Sequence, residues 1–131
     1  SMRYAKNAGA VFSLKYHVVF CPKYRRSVLN PPVDHRLKEL FEGIASDYDL
    51  TLHAMEIMPD HVHLLIESSP MLYVAEIVNR LKGVSSRILR QEFPFLRSRL
   101  PTLWSRAYFA ATVGAVSETT IQRYIENQKG K

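Results

Sequence analysis

His61 and His63 flank Val62 just after Met58-Pro59-Asp60. On an extended strand alternate residues share a face, which places the two Cα atoms roughly 6.5 Å apart with both imidazoles on one side, near enough to converge on one metal ion or one phosphate. Near the other end of the sequence, Tyr124 and Gln128 are spaced i, i+4 and share one face of a helix. A phenol with a pKa of about 10 is a poor nucleophile at neutral pH. A metal held by His61, His63 and Gln128 could polarise a phosphate oxygen and stabilise the charge that builds on it. The chemistry would be attack of Tyr124 on a phosphodiester, with a 3′-hydroxyl leaving and a phosphotyrosine remaining. Each residue also has a plainer reading: two histidines on an exposed strand face, an aromatic on an apolar helix stripe, a surface glutamine.

The elements that must position these groups follow from periodicity. Residues 10–21 alternate as one half-buried strand, with Tyr16, Val18 and Phe20 on one face and His17 and Val19 on the other. Asn30-Pro31-Pro32 stops the chain, and Val33, Leu37, Leu40, Phe41 and Ile44 predict a helix ending near Ser46. Residues 51–58 then form a strand that turns through Pro59-Asp60 into the histidine strand, a hairpin. In residues 72–91 an apolar stripe of Val74, Ile77, Val78, Leu81, Val84 and Ile88 predicts a long helix with a basic outer surface. Residues 93–103, interrupted by Pro94 and Pro101, read as irregular, and residues 104–113 as a last strand. Gly114 allows a change of direction, Ser117 caps a final helix with Glu118 in its first turn, and Ile121, Tyr124, Ile125 and Gln128 form one face of it.

This order predicts an α+β fold: a ferredoxin-like, RRM-like four-stranded antiparallel sheet with helices on one face, plus a C-terminal helix carrying the tyrosine. One domain over residues 1–131 is expected, with residues 1–9 flexible and 115–131 a hinged catalytic helix. Val62, Leu64 and Ile66 should face the helices, leaving His61 and His63 on the open face. The last helix is too short to be stable alone, so its apolar stripe must dock, and the open sheet face of this or a second subunit is the natural place.

The chain carries a formal charge of +6. Residues 72–106 hold seven basic side chains against two acidic ones. That excess points to a polyanion. The candidate contacts are Arg80, Lys82, Arg87, Arg90 and Arg106, together with Lys23, Tyr24, Arg25 and Arg26, where an aromatic that could stack on a base lies among cations. A basic face with no ligand is the plainer alternative. A single cysteine, Cys21, excludes an internal disulfide and a cysteine-based zinc site, and a reducing intracellular compartment fits it. No apolar run approaches the roughly 18 residues of a membrane span, so no membrane partner is expected.

Met58-Pro59-Asp60-His61-Val62-His63, the run from Tyr16 through Cys21-Pro22-Lys23-Tyr24-Arg25-Arg26, Leu103-Trp104-Ser105-Arg106 with Tyr108-Phe109, and the helix of Tyr124 and Gln128 together resemble the single-tyrosine HUH transposases of the IS200/IS605 insertion-sequence family. The similarity runs nearly end to end. It implies a prokaryotic, cytoplasmic, nucleoid-associated homodimer that cleaves and rejoins single-stranded DNA through a 5′-phosphotyrosine, with Mg²⁺ or Mn²⁺ as cofactor. It also implies His61, His63 and Gln128 as ligands, Tyr124 as nucleophile, sites shared between subunits, and recognition of DNA hairpins near the element's ends. Excising a segment takes two cleavages and, of its seven tyrosines, one chain offers only Tyr124 as a plausible nucleophile, which also favours a dimer. On ligand preference, two imidazoles and an amide suit manganese, zinc or nickel better than magnesium. Only Lys129, Gly130 and Lys131 follow Gln128, so contacts from a longer tail are not carried over.

Three other readings share parts of this pattern. A non-catalytic RRM-like binding module would want aromatics on both central strands, and residues 51–58 have none. A domesticated relative acting on repeat hairpins would share the chemistry and differ in substrate. A rolling-circle initiator or relaxase shares the histidine pair but usually sits in a larger protein.

Overall fold

The computed structural model describes the backbone of residues 5–7 and 10–131 and the side chains of residues 13–131. Two short strands, β1 (Ala5–Asn7) and β2 (Ala10–Phe12), pair antiparallel ahead of the main sheet. The rest of the stretch expected to be flexible, residues 1–4 and 8–9, lies outside the described residues. The strand expected over residues 10–21 is thus divided at Ser13, and β3 occupies Leu14–Phe20. The division falls where the partner strand ends: Leu14 pairs with Ser68, the last residue of that strand, and the Ser13 hydroxyl donates to the Glu67 carboxylate.

After β3 come α1 (Val33–Tyr48), β4 (Thr51–Met58), β5 (His61–Ser68), α2 (Val74–Glu92), α3 (Phe95–Arg99), β6 (Phe109–Thr112) and α4 (Glu118–Glu126). The strands β4-β5-β3-β6 lie side by side in that order with every neighbour antiparallel, the ferredoxin-like arrangement that the sequence predicts, with β5 and β3 central, so residues 51–58 form an edge strand and not the central one expected of them. α1 runs two residues past Ser46 and ends on Asp49 in the left-handed conformation, whose N–H bonds back to Ala45 and Ser46. α3 replaces an expected irregular segment, because Pro94 with φ −56° is already set for a first helical turn. β6 is shorter than the expected 104–113 strand, and Trp104 makes only an isolated bridge to Pro22.

The core lies between the sheet and the two long helices. Val18, Phe20, Val62, Leu64 and Ile66 point into it from β3 and β5, meeting Leu37 and Phe41 of α1 and Ile77, Val78 and Leu81 of α2. The Phe20 ring stands edge-on to Phe41 and to Trp104, at centroid distances of 6.1 and 4.7 Å. Farther along α2 the buried side chains are Ser85 and Leu89, while Val84 and Ile88 are half-buried, so the stripe turns by one residue from the expected one. Trp104 causes the turn: its indole N–H donates to Ser85 Oγ at 3.0 Å, and Ser85 in turn donates to the Leu81 carbonyl. A buried indole needs an acceptor, and serine supplies one where valine could not.

The opposite face of the sheet carries α4. Ser117 Oγ accepts from the Thr120 N–H at 3.2 Å and caps the helix. Ile121 and Ile125 bury themselves on Val19, with Phe109, Val116 and Tyr124 packed around them. At about 2 kcal/mol for each buried isoleucine, this contact holds a helix of nine residues that would not persist alone. Gly114, with φ +93°, makes the turn from β6 at no steric cost.

Candidate active site

Strand parity decides which side chains reach the open face. On β5, Val62, Leu64, Ile66 and Ser68 are buried beneath the helices, so His61 and His63 emerge on the other side. His63 pairs with Val19 on β3 and with Glu56 on β4. Directly opposed residues of antiparallel strands share a face, so His63 stands beside the valine on which α4 docks. In the single chain, α4 therefore lies on its own sheet, next to its own histidines.

Each imidazole has a carboxylate behind it. Asp60 Oδ1 lies 2.8 Å from His61 Nδ1, and Glu56 Oε1 lies 3.2 Å from His63 Nδ1. An ionised carboxylate only accepts, so both rings carry the proton on Nδ1 and keep Nε2 as a lone-pair donor. His61 Nε2 has no partner among the described residues. His63 Nε2 faces His17 Nδ1 at 3.0 Å, and burial together with the neighbouring His63 lowers the pKa of His17, which keeps it neutral. His17, His63, Glu56 and Glu118 line a cleft of about 220 Å³ beside these rings.

α4 stops at Glu126, short of the expected helix over 115–131, so Tyr124 is helical while Gln128 lies in the turn beyond, its N–H bonded to the Ile125 carbonyl at 3.1 Å; the polar side-chain atoms of interest on both are left without partners. Tyr124 Oη and Gln128 Oε1 are buried and form no hydrogen bond among the described residues. Gln128 is only 7% exposed, so its orphaned carbonyl oxygen is costly unless something electropositive meets it. Burial pushes the Tyr124 phenol up to about 12, with the Cys21 thiol nearby adding to the shift. The tyrosine ring packs on Phe109 at 5.4 Å. Among the described residues no three His, Cys, Asp or Glu side chains are grouped to hold an ion. The donors expected from the sequence are of another type, two imidazole nitrogens on one face of β5 and the buried amide oxygen of Gln128.

The basic candidates are placed unequally. Arg87 and Arg90, with Gly83, Ser86, Gln91 and Arg97, line a cleft of about 400 Å³ on the outer side of α2 and α3. Arg90 also donates to the Leu100 carbonyl at 3.2 Å. Arg106 is exposed, and the Arg80 guanidinium lies 5.8 Å from the Tyr48 ring centroid. Lys82 turns inward, donating to the Ser105 carbonyl at 2.7 Å, and burial lowers its pKa. Lys23 and Arg26 lie against the half-exposed Tyr24 ring, 5.1 and 5.7 Å from its centroid. Arg25 faces the protein, where Nη1 donates to the Ile125 carbonyl at 3.2 Å and Nε lies 3.1 Å from Asp60 Oδ2.

Sequence reasoning missed four of these groups. His17 shares the parity of Val19 on its strand, but its approach to His63 needs the β3–β5 pairing, which no local pattern reveals. Asp60 reads as a turn residue and Glu56 as an edge-strand charge until their contacts with the histidines are seen. The inward role of Arg25 depends on a backbone conformation that carries no glycine signal.

A family model described as "Transposase IS200 like" matches residues 10–128. The chain is 39% identical over 128 residues to the ISDra2 transposase TnpA of Deinococcus radiodurans, covering 96% of this chain and 91% of that one. To the transposase for insertion sequence element IS200 of Salmonella typhimurium it is 31% identical over 119 residues, covering 89% and 78%. Among solved structures, a chain from Deinococcus radiodurans R1 assigned as a transposase superposes with a TM-score of 0.87 at 38% identity, covering 97% of this chain and 99% of that one. A REP-associated tyrosine transposase bound to a REP hairpin shares the fold at a TM-score of 0.56 and 12% identity, over 96% of this chain and 67% of that one. Among the described residues no helix is long and apolar enough to cross a membrane. With the family model spanning residues 10–128 and identities of 39% and 31% to two transposases over most of the chain, the protein belongs to the IS200-like transposases.

Proposed function

We propose that the chain cleaves and rejoins single-stranded DNA at the ends of an insertion sequence, using Tyr124 as nucleophile. The observation that carries this reading is a pair of buried, orphaned oxygens: Tyr124 Oη, on the α4 face that packs on Val19 beside the His63 strand, and Gln128 Oε1, in the turn just past the end of that helix. A fold gains nothing from burying two unsatisfied oxygens, whereas an active site that receives a phosphate and a cation satisfies both.

In the forward step Tyr124 Oη bonds to the scissile phosphorus and the P–O3′ bond breaks. The phenol loses its proton, the departing 3′ oxygen gains one, and the 5′ phosphate remains on the tyrosine. Rejoining is the reverse with another 3′-hydroxyl, and since one phosphoester replaces another, no ATP is needed. A divalent ion, Mg²⁺ or Mn²⁺, would be held by His61, His63 and Gln128 and would supply charge stabilisation at the phosphate oxygens and help the phenol to ionise. Asp60 and Glu56 keep Nε2 of the two histidines aimed outward as lone-pair donors. Val19, Ile121 and Ile125 exclude water from one side of the site.

The DNA would be a strand folded into hairpins near the element's ends, held by the cleft of Arg87, Arg90 and Arg97, with Arg106, Lys23, Tyr24 and Arg26 as further contacts. Two cleavages per excision call for two tyrosines, hence a homodimer, and α4 on its glycine turn could serve either its own sheet or the partner's. The test is incubation of the protein with labelled single-stranded DNA from the flanks of its gene and Mn²⁺. A denaturant-resistant adduct that chelator suppresses is expected. Failure to form one with any flank or metal would refute the reading.

A further inference from the structure

Arg25 sits where the hairpin turn, the end of β3 and the C-terminal end of α4 meet. Its Nη1 donates to the Ile125 carbonyl at 3.2 Å, and that same carbonyl accepts the Gln128 N–H at 3.1 Å. A cation there is well placed against the negative end of the helix. Its Nε lies 3.1 Å from Asp60 Oδ2, a contact held by charge rather than by an aligned hydrogen bond. The other oxygen of Asp60 accepts from His61 Nδ1 at 2.8 Å. Next door, the Tyr24 carbonyl accepts from the Gly130 N–H at 3.3 Å, so residues 24 and 25 grip the chain on both sides of Gln128.

The backbone is bent to make this possible. Tyr24 and Arg25 have φ of +61° and +53°, successive left-handed residues with no glycine between them. Side chains disfavour that conformation, and it persists where surrounding contacts over-determine it, commonly at functional sites. Here it turns the Arg25 fork inward, away from the face that Tyr24 and Arg26 show to solvent.

We propose that Arg25 and Asp60 are positioning residues that form one bridge between the histidine strand and the tyrosine helix. The bridge sets the His61 ring and seats Gln128 together, so that donors from two distant parts of the sequence reach one site at once. This rests on the reading of His61 and Gln128 as metal donors. It also takes Arg25 out of the DNA-facing set and leaves Arg26 as its neighbour there.

The test uses Arg25→Gln, Arg25→Lys, Asp60→Asn and Asp60→Ala in the full chain. Three quantities are read: Mn²⁺ affinity by calorimetry without DNA, hydrogen exchange at the Asn127 and Gln128 amides, and single-stranded DNA affinity in chelator across a salt series. Arg25→Gln should weaken Mn²⁺ binding about tenfold or more, as loss of an outer-shell partner does, and speed exchange at both amides. Arg25→Lys should not rescue it, since an ammonium lacks the fork that spans both acceptors. Asp60→Asn keeps an acceptor for His61 and should lose less metal affinity than Asp60→Ala, while freeing α4 equally. Unchanged exchange and metal affinity in Arg25→Gln, with the salt slope lowered by about one, would make Arg25 a phosphate contact and overturn the proposal. A wild-type chain that binds no Mn²⁺ would refute the metal reading and the coupling with it, whereas unchanged exchange alone refutes the bridge.

Discussion

His17 Nδ1 lies 3.0 Å from His63 Nε2, and Glu56 occupies the other nitrogen of His63. With Nδ1 of His63 donating to the carboxylate, Nε2 is the acceptor and His17 the donor. The lone pair that would bind a cation is therefore already engaged, and a cation arriving there must first turn His17 away.

Removing that competitor should help the metal. His17→Ala is predicted to raise Mn²⁺ affinity about fivefold, the worth of one net hydrogen bond, in a calorimetric titration without DNA. A fall in affinity would instead make His17 a ligand itself.

Tyr124 should trade stability for chemistry. Its buried hydroxyl has no partner among the described residues, so Tyr124→Phe is expected to stabilise the fold by about 1 kcal/mol in urea unfolding while abolishing strand cleavage. The pH dependence has a definite sign. A phenol raised to about 12 favours folding below its unfolded pKa of about 10, and that contribution is lost as pH climbs through 12. Between those values Tyr124→Phe should lose less stability than the wild type. Cys21, pushed up to about 11, declines in both proteins, so the difference between them reports the Tyr124 phenol together with its coupling to the Cys21 thiolate. Equal alkaline slopes would show that the hydroxyl is not desolvated.

How far the sequence reached can be judged residue by residue. The alternation of His61 and His63 with Val62 and Leu64 fixes their face, because it depends only on local period, whereas the expected helical i, i+4 pairing of Tyr124 with Gln128 is not realised: α4 ends at Glu126 and Gln128 sits in the turn beyond it. The strand and helix order likewise implied the sheet. What escaped depends on register and partners. His17 meets His63 only because β3 lies against β5, and Ser85 and Leu89 displace Val84 and Ile88 because Trp104 approaches from elsewhere in the chain. The short α3 carries too little period to register, and the left-handed Tyr24 and Arg25 have no compositional mark.

The buried Trp104–Ser85 bond gives a test of the core apart from the active site. Trp104→Phe leaves Ser85 without its donor and removes ring volume, so a loss of about 1–3 kcal/mol is expected in denaturant unfolding. A loss near zero would mean that the indole N–H is satisfied by water and does not set the α2 stripe.

Arg87 is the sharper probe of the outer cleft, because Arg90 is partly committed to the Leu100 carbonyl. Arg87→Ala should weaken single-stranded DNA binding, with the salt slope lowered by about one and the adduct chemistry intact. Affinity unchanged at low salt would remove this face from the DNA surface.

The most direct measurement of the central claim locates the covalent phosphate. After reaction with single-stranded DNA from its gene flanks and Mn²⁺, followed by nuclease and trypsin digestion, the adduct mass should fall on the peptide Tyr124-Ile125-Glu126-Asn127-Gln128-Lys129. Fragmentation should place it on the Tyr124 phenol as a 5′-phosphate ester, and Tyr124→Phe should yield none. A nucleotide on any other peptide, or an adduct that survives Tyr124→Phe, would contradict the account.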